Sequence, residues 1–281
     1  MQRDRMENCT LESGWDARLE LAYARREACT IPVHRRHIGP LRVQKHFTEP
    51  SGVCQHIVVH PPGGIAGGDS LTLELDLAAG SRALLTSPGA AKWYQGFGRR
   101  ATQRVSARIG AGASLEWLPL ETILFNGADV ELAARFDLAR DAVLLYSDVV
   151  CLGRPASAEP FAHGCWRQTV EVWRDDALLW CEHNALKGDD AQFSSPVGMD
   201  GHTVTGLLLW AGPALPEALL DACRAYPCVG RAGVSQLPDV FVARCLTHSA
   251  EAAQAWITGL WQQLRPFTLG VEAVAPRIWA T

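Results

Sequence analysis

The sequence lacks the signatures of the common enzyme classes. Its 281 residues contain no G-x-S-x-G, no H-E-x-x-H, no G-x-G-x-x-G after a strand-like run and no C-x-x-C pair. The nucleophile elbow, the helical zinc site, the dinucleotide loop and the zinc ribbon are therefore all missing. A basic excess is missing too. Lys+Arg 26 against Asp+Glu 30 gives a formal charge of -4, which argues against nucleic acid or an anionic membrane as the principal partner. No apolar run approaches the length of about 18 residues that spans a bilayer, and GLLLWAGPAL is broken by Gly212 and Pro213. The opening MQRDRMENCT has no apolar core of a secretory signal. These absences lead us to expect a soluble, cytoplasmic, non-enzymatic protein.

What is present is strand-like. Leu71, Leu73, Leu75 and Leu77 alternate with Thr72, Glu74, Asp76 and Ala78, and Val130, Leu132, Ala134 and Phe136 repeat the pattern. A period of two is that of a half-buried strand. Ala17 to Tyr23 reads the same way, and further strands are expected over 41–47, 54–60, 81–87, 101–109, 142–152, 166–174, 177–186, 203–210 and 239–247. Asn126-Gly127 reads as a hairpin turn. Helical spacing is confined to the last third, near 216–226 and 249–265. Ser249 is the expected cap of the second helix, Ala253, Trp256, Ile257, Leu260 and Leu264 share its apolar face, and Pro266 lies just beyond its end. The expected organisation is a loose polar segment over 1–13 followed by a single mostly-β domain over 14–281 with a small helical part. Nine cysteines form no ligand-spaced cluster, and Cys29, Cys54, Cys151, Cys181 and Cys245 in apolar runs read as free buried thiols.

The candidate chemistry is sparse. In HPPGGIAGGDS at 60–70, Gly63 and Gly68 have P-loop spacing, but Asp69 stands where that motif needs its lysine and would repel phosphate. His60 is a possible metal ligand, though one histidine at a strand end is more often hydrogen-bonded structure. Lys92, in TSPGAAKWYQG, has no partner visible in sequence. Glu116 and Glu121 sit in LEWLPLETILF, Asp148 in LLYSDVVCLG and Glu182 in ALLWCEHNAL. A carboxylate in an apolar run must be paired, protonated, bordering water or turned outward, because an unpaired buried charge costs several kcal/mol. One reading is a polar path through a β core, in which hard oxygen ligands hold a divalent cation weakly. The competing reading is that strand alternation turns each carboxylate to solvent.

Several segments together resemble the UreD (UreH) family of urease accessory proteins. They are GPLRVQ at 39–44, HPPGGIAGGD at 60–69, TSPGAAKWY at 86–94, LEWLPLETILF at 115–125, GRPASAEPF at 153–161, SSPVGMDGH at 194–202 and PRIWAT at 276–281. Ser87, Trp93 and Leu120 depart from the family's usual threonine, phenylalanine and glutamine. The resemblance implies a chaperone without enzymatic activity that binds the urease apoprotein and recruits UreF. UreG is then held through UreF, and UreE contributes indirectly to GTP-dependent nickel insertion. No cofactor is expected to bind tightly, Ni²⁺ being a transient cargo. The implied fold is mostly β, with antiparallel strands in a helical, β-helix-like stack and two helices in the C-terminal third. A water-filled nickel tunnel has been proposed for the family. Asp69, Lys92, Glu116, Glu121, Asp148 and Glu182 are our candidates to line it, with no defined metal site to carry over. Leu260 and Trp261 are candidates to dock a partner such as UreF, against the alternative that one apolar stripe serves the chain's own core. Two other functions compete: a metal-dependent hydrolase using Asp69, His60 and Glu121, and a purely structural β scaffold.

Overall fold

The computed structural model describes residues 14–280; the segment expected to be loose, 1–13, lies outside the described residues. From Cys54 onward the chain winds back and forth between two sheets. Cys54–Val59 lies in one sheet and Ser70–Leu77 in the other. Arg82–Thr86, Ala101–Ile109, Ser114–Leu118, Asp129–Leu138, Val143–Arg154 and Cys165–Arg174 continue the alternation. Each strand pairs in parallel with the strand one coil before it in the same sheet. The result is a mostly-β, β-helix-like stack of a 7-stranded and a 12-stranded sheet with two α-helices.

Pairing is mixed, and antiparallel strands close the ends of the stack. Asp16–Arg26 pairs in parallel with Ser70–Leu77 and antiparallel with Cys29–Ile38. Ala177–Lys187 ends the seven-stranded sheet. Val204–Ala211, Val240–Thr247 and Arg231–Leu237 extend the larger sheet beyond Val143–Arg154. The expected antiparallel pairing therefore holds at the ends, whereas the coils are parallel. Asn126-Gly127 shows why: Gly127 takes φ 79° as expected of a turn, but the turn carries the chain from one sheet to the other and makes no hairpin.

Alternation sorts side chains between two cores. On Val143–Arg154, Leu144, Tyr146, Val150 and Leu152 face the space between the sheets, while Leu145, Val149 and Cys151 face the helices. Each buried leucine or valine contributes about 1.5–3 kcal/mol, so this strand is held from both sides. Helix α2 spans Ala250–Leu269; the Ser249 hydroxyl accepts from the Ala252 amide at 3.1 Å, and Gly270 closes the helix at φ 64°. The helix runs past Pro266. The missing proline N–H falls in the last turn, and Arg265, bonded to Glu116, Glu49 and the Glu272 carbonyl, fixes the backbone there. Helix α1 spans Glu217–Ala225. Cys54, Cys151 and Cys245 are buried as expected, Cys29 is half-buried, and Cys181, on an edge strand, is exposed.

Candidate functional site

The loop at 60–69 is shaped by close backbone contacts. A Cβ on Gly67 would meet the Gly96 carbonyl oxygen at 2.3 Å, and one on Gly68, at φ 95°, would meet the Arg99 guanidinium at 2.0 Å. The Asp69 carboxylate accepts from the Trp15 and Ala66 amides, each at 2.8 Å. Asp69 thus ties the loop to the first strand of the small sheet. It is buried and borders none of the cavities described below.

Between the sheets lies a cavity of about 400 Å³, walled in part by the segments around 60–65 and 86–92. His60, Lys92, Gln103, Tyr146, Asp148 and Gln168 are among the polar residues on its wall. Both His60 ring nitrogens are buried without a hydrogen-bond partner. Burial lowers the pKa of this imidazole against the opposing effect of Asp69, and neither nitrogen is exposed to the cavity.

Asp148 and Gln168 also line a second space of about 20 Å³, which continues past them to Glu182, Asn184 and Thr205. A volume of that size holds about one water. Glu182, Asn184 and Thr205 in turn line a third cavity of about 500 Å³, which reaches Arg244 and the segment 196–199. Three cavities thus adjoin between the sheets, Asp148 and Gln168 lining both the first and the second and Glu182, Asn184 and Thr205 both the second and the third; the first is walled mainly by apolar side chains.

Asp148, Gln168 and Arg244 occupy positions that alternation assigns to the core, whereas Lys92 is exposed beside the buried Trp93. Asp148 is in phase with Tyr146 and Val150, and Gln168 with Trp166 and Val170. Gln168 donates its side-chain amide to Asp148 across the gap between the sheets. Burial pushes the Asp148 carboxyl up to about 6, partly offset by the Gln168 bond and reinforced by Glu182. Glu182 accepts two bonds from Arg244, at 2.9 and 2.8 Å, and one from Asn184 at 3.1 Å. A cation reaching Glu182 competes with a guanidinium, which keeps its hold weak. Cys245 also borders the third cavity, but burial pushes its thiol up to about 12, so the strong thiolate ligand is absent at neutral pH.

The six carboxylate and lysine positions singled out by sequence are thus divided. Lys92, Asp148 and Glu182 border these cavities; Asp69 does not, nor does Glu121, whose carbonyl accepts from the Ala91 amide. Glu116 lies on the opposite face of the larger sheet. Leu115 and Trp117 take the inward positions, so Glu116 points outward, not into water but under α2. There it bonds Arg265 at 2.9–3.1 Å and accepts from the Trp261 indole at 2.8 Å, and Arg265 also reaches Glu49 at 2.8 Å. Burial raises the Glu116 pKa, with Arg265 and Trp261 pulling it down.

Leu260 and Trp261 require a correction as docking residues. Both are almost completely buried against the chain's own sheet, because that stripe already has a core to serve. Gln168, Asn184, Thr205 and Arg244 were not singled out from sequence. The signal for Gln168 and Arg244 was there: each interrupts an apolar phase, Trp166-Val170-Val172 and Val240-Val242-Leu246 respectively. Among the described residues no group of three or more His, Cys, Asp or Glu is placed to hold a metal ion. Asp69, His60 and Glu121 accordingly assemble no metal centre of the kind a hydrolase would need.

Fold and interior together define a two-sheet β-helix-like protein with a row of adjoining cavities between its sheets. Comparison with known proteins gives that class its family. The UreD urease accessory protein family matches residues 16–280. The chain is 53% identical over 269 residues to the urease accessory protein UreD of Pseudomonas aeruginosa PAO1, covering 95% of both chains. It is 51% identical over 268 residues to that of Pseudomonas fluorescens Pf-5, again over 95% of each. It is 50% identical over 270 residues to urease accessory protein UreD 2 of Pseudomonas syringae pv. tomato DC3000, at the same coverage. The chain belongs to the UreD family of urease accessory proteins, and its role is in urease maturation.

Proposed function

We propose that this protein is a cytoplasmic chaperone that binds the urease apoprotein, recruits UreF and through it UreG, and gives Ni²⁺ a route through its own interior during GTP-dependent insertion, with UreE acting upstream. Family membership supports the maturation role. The observation that carries the route is the row of adjoining cavities lined in turn by Lys92, by Asp148 with Gln168, and by Glu182.

The chemistry of these cavities favours transit over storage. Asp148 offers one carboxylate beside the smallest cavity and Glu182 one carboxylate already shared with Arg244. Ni²⁺ bound by one protein ligand at a time, its other positions filled by water, is held weakly, whereas clustered imidazoles or thiolates would trap it. Asp148 is ionised above about pH 6, so its attraction for a cation is present at neutral pH and fades on acidification.

The test is rescue in urease-producing cells that lack this protein. The wild type, Asp148→Ala and Glu182→Ala are each supplied, and co-purification with UreF and apo-urease is scored in the same samples. The proposal expects the variants to bind both partners and leave urease poorly active. Equal rescue by wild type and both variants would favour the purely structural scaffold. Failure of the wild type to bind or rescue would remove the chaperone reading itself.

A further inference from the structure

Between Glu27 and Glu49 the sequence contains no acidic residue, yet it carries Arg35, Arg36, Arg42 and Lys45 together with His34, His37 and His46. In a chain of formal charge -4 this is a local reversal of sign. The fold gathers the whole stretch at one end of the stack. Cys29–Ile38 is the terminal strand of the seven-stranded sheet, and Arg42–Val43 and Phe47–Thr48 pair on Cys54–Val59 at the corresponding end of the other.

Cys29–Ile38 pairs on one side with Asp16–Arg26; on the other side the Thr30 amide donates to the Gly52 carbonyl at 2.9 Å and Pro32 has no N–H, so the edge left open among the described residues is Val33–Ile38. The six residues Val33–Ile38 are all exposed. The register sets Arg35 opposite Leu21 and His37 opposite Leu19, both core residues. Arg35 and His37 therefore share the core face of the sheet where the larger sheet no longer covers it. On the other face, Glu20 lies 3.4 Å from His34 and 4.0 Å from Arg36. Among the described residues no carboxylate lies within ion-pair distance of Arg35, His37 or Lys45. Val33 and Ile38 are each 50% exposed and Phe47 57%, so apolar side chains are interspersed with the cations.

An open edge offers backbone donors and acceptors in strand register. Uncompensated cations beside it select the charge of what binds. A second copy of the chain would bring the same cations to the edge and be repelled. A nucleic acid would gain from the cations but leave the backbone edge unpaired. We propose that the outer edge of Val33–Ile38 takes up an acidic, extended segment of a partner protein as an added strand. The inference is independent of the nickel route.

The probe is a fluorescent peptide of about eight residues alternating glutamate and valine, titrated with the full-length protein and followed by anisotropy. Binding should weaken at least about tenfold between low and high salt, because the cations are exposed and screened. Arg35→Glu with Arg36→Glu should abolish it without altering the circular dichroism spectrum. The same peptide N-methylated on its pairing amides should bind at least about tenfold more weakly, since only strand addition needs those N–H groups. No binding, or equal binding of the N-methylated peptide, would overturn the proposal. So would tighter binding of a thymidine oligonucleotide, or a concentration-dependent dimer that the double variant abolishes. Tighter peptide binding after removal of residues 1–13 would make the chain's own N-terminal segment the occupant and overturn it as well.

Discussion

Asp148 and Glu116 look alike in the sequence, a single carboxylate inside an apolar strand, and the fold uses them in opposite ways. Glu116 lies under α2, bonded to Arg265 and to the Trp261 indole, with Glu49 completing a buried charge cluster. Asp148 faces the gap between the sheets, bonds to Gln168 and Tyr146 rather than to a cation, and borders open space on two sides. The first joins a helix to a sheet. The second leaves ligand capacity unspent beside a cavity. What separates them is the layer that covers each face: a helix carrying an arginine on one side, a second sheet that fails to close on the other.

The largest expected effect is at the closed site. Arg265→Met leaves Glu116 and Glu49 buried without their cation and should destabilise the fold by about 3–5 kcal/mol in chemical denaturation. Replacing the whole cluster, Arg265→Met with Glu116→Leu and Glu49→Leu, should recover most of that loss, because an apolar cluster has no charge to desolvate. If the triple variant is no more stable than Arg265→Met alone, the cluster does more than join α2 to the sheet.

At the open site the sign reverses. The native state holds the Asp148 proton up to about pH 6, whereas an unperturbed aspartate releases it near 3.8. Between those values the native state binds more protons than the unfolded chain, so stability falls as pH rises and levels off above about pH 6. Asp148→Asn removes that loss. It should be more stable than the wild type by about 1–3 kcal/mol at pH 8 and indistinguishable at pH 4. A variant less stable at pH 8 would mean that Asp148 is fully paired like Glu116, and the contrast would collapse.

A smaller effect is expected where the C-terminal segment reaches the closed side. The Trp279 indole donates to the Thr86 hydroxyl at 2.7 Å and packs edge-on against Trp261. Trp279→Phe keeps the ring contact and loses the donor, costing about 1 kcal/mol. Urease activation should be unchanged if that side is structural only.

Much of the fold was legible. The Leu71–Leu77 alternation became a strand with all four leucines buried, and Ser249 caps α2. Cys29–Ile38 and Arg231–Leu237 were missed because they are edge strands with most positions exposed, so no alternation marks them. The direction of pairing was not legible either, since Asn126-Gly127 satisfies a turn whether the chain folds back or crosses to the other sheet. Asp148 and Glu182 draw notice because burial of a carboxylate demands an explanation, and both border cavities. Glu116 draws notice by the same logic and Asp69 through the glycine-rich segment, yet neither borders a cavity, because sequence shows which face a side chain takes and not what lies above it. Leu260 and Trp261 failed as docking residues for the complementary reason, their apolar stripe already having a sheet beneath it.

The most direct measurement is the nickel content of urease purified from cells carrying Asp148→Ala, Glu182→Ala or the triple apolar replacement at Glu116, Glu49 and Arg265. Complex formation with apo-urease is measured in the same cells. The account predicts nickel-poor urease from the first two, with complexes intact, and wild-type nickel from the triple variant. Full nickel with Asp148→Ala and Glu182→Ala, or a loss confined to the triple variant, would contradict it.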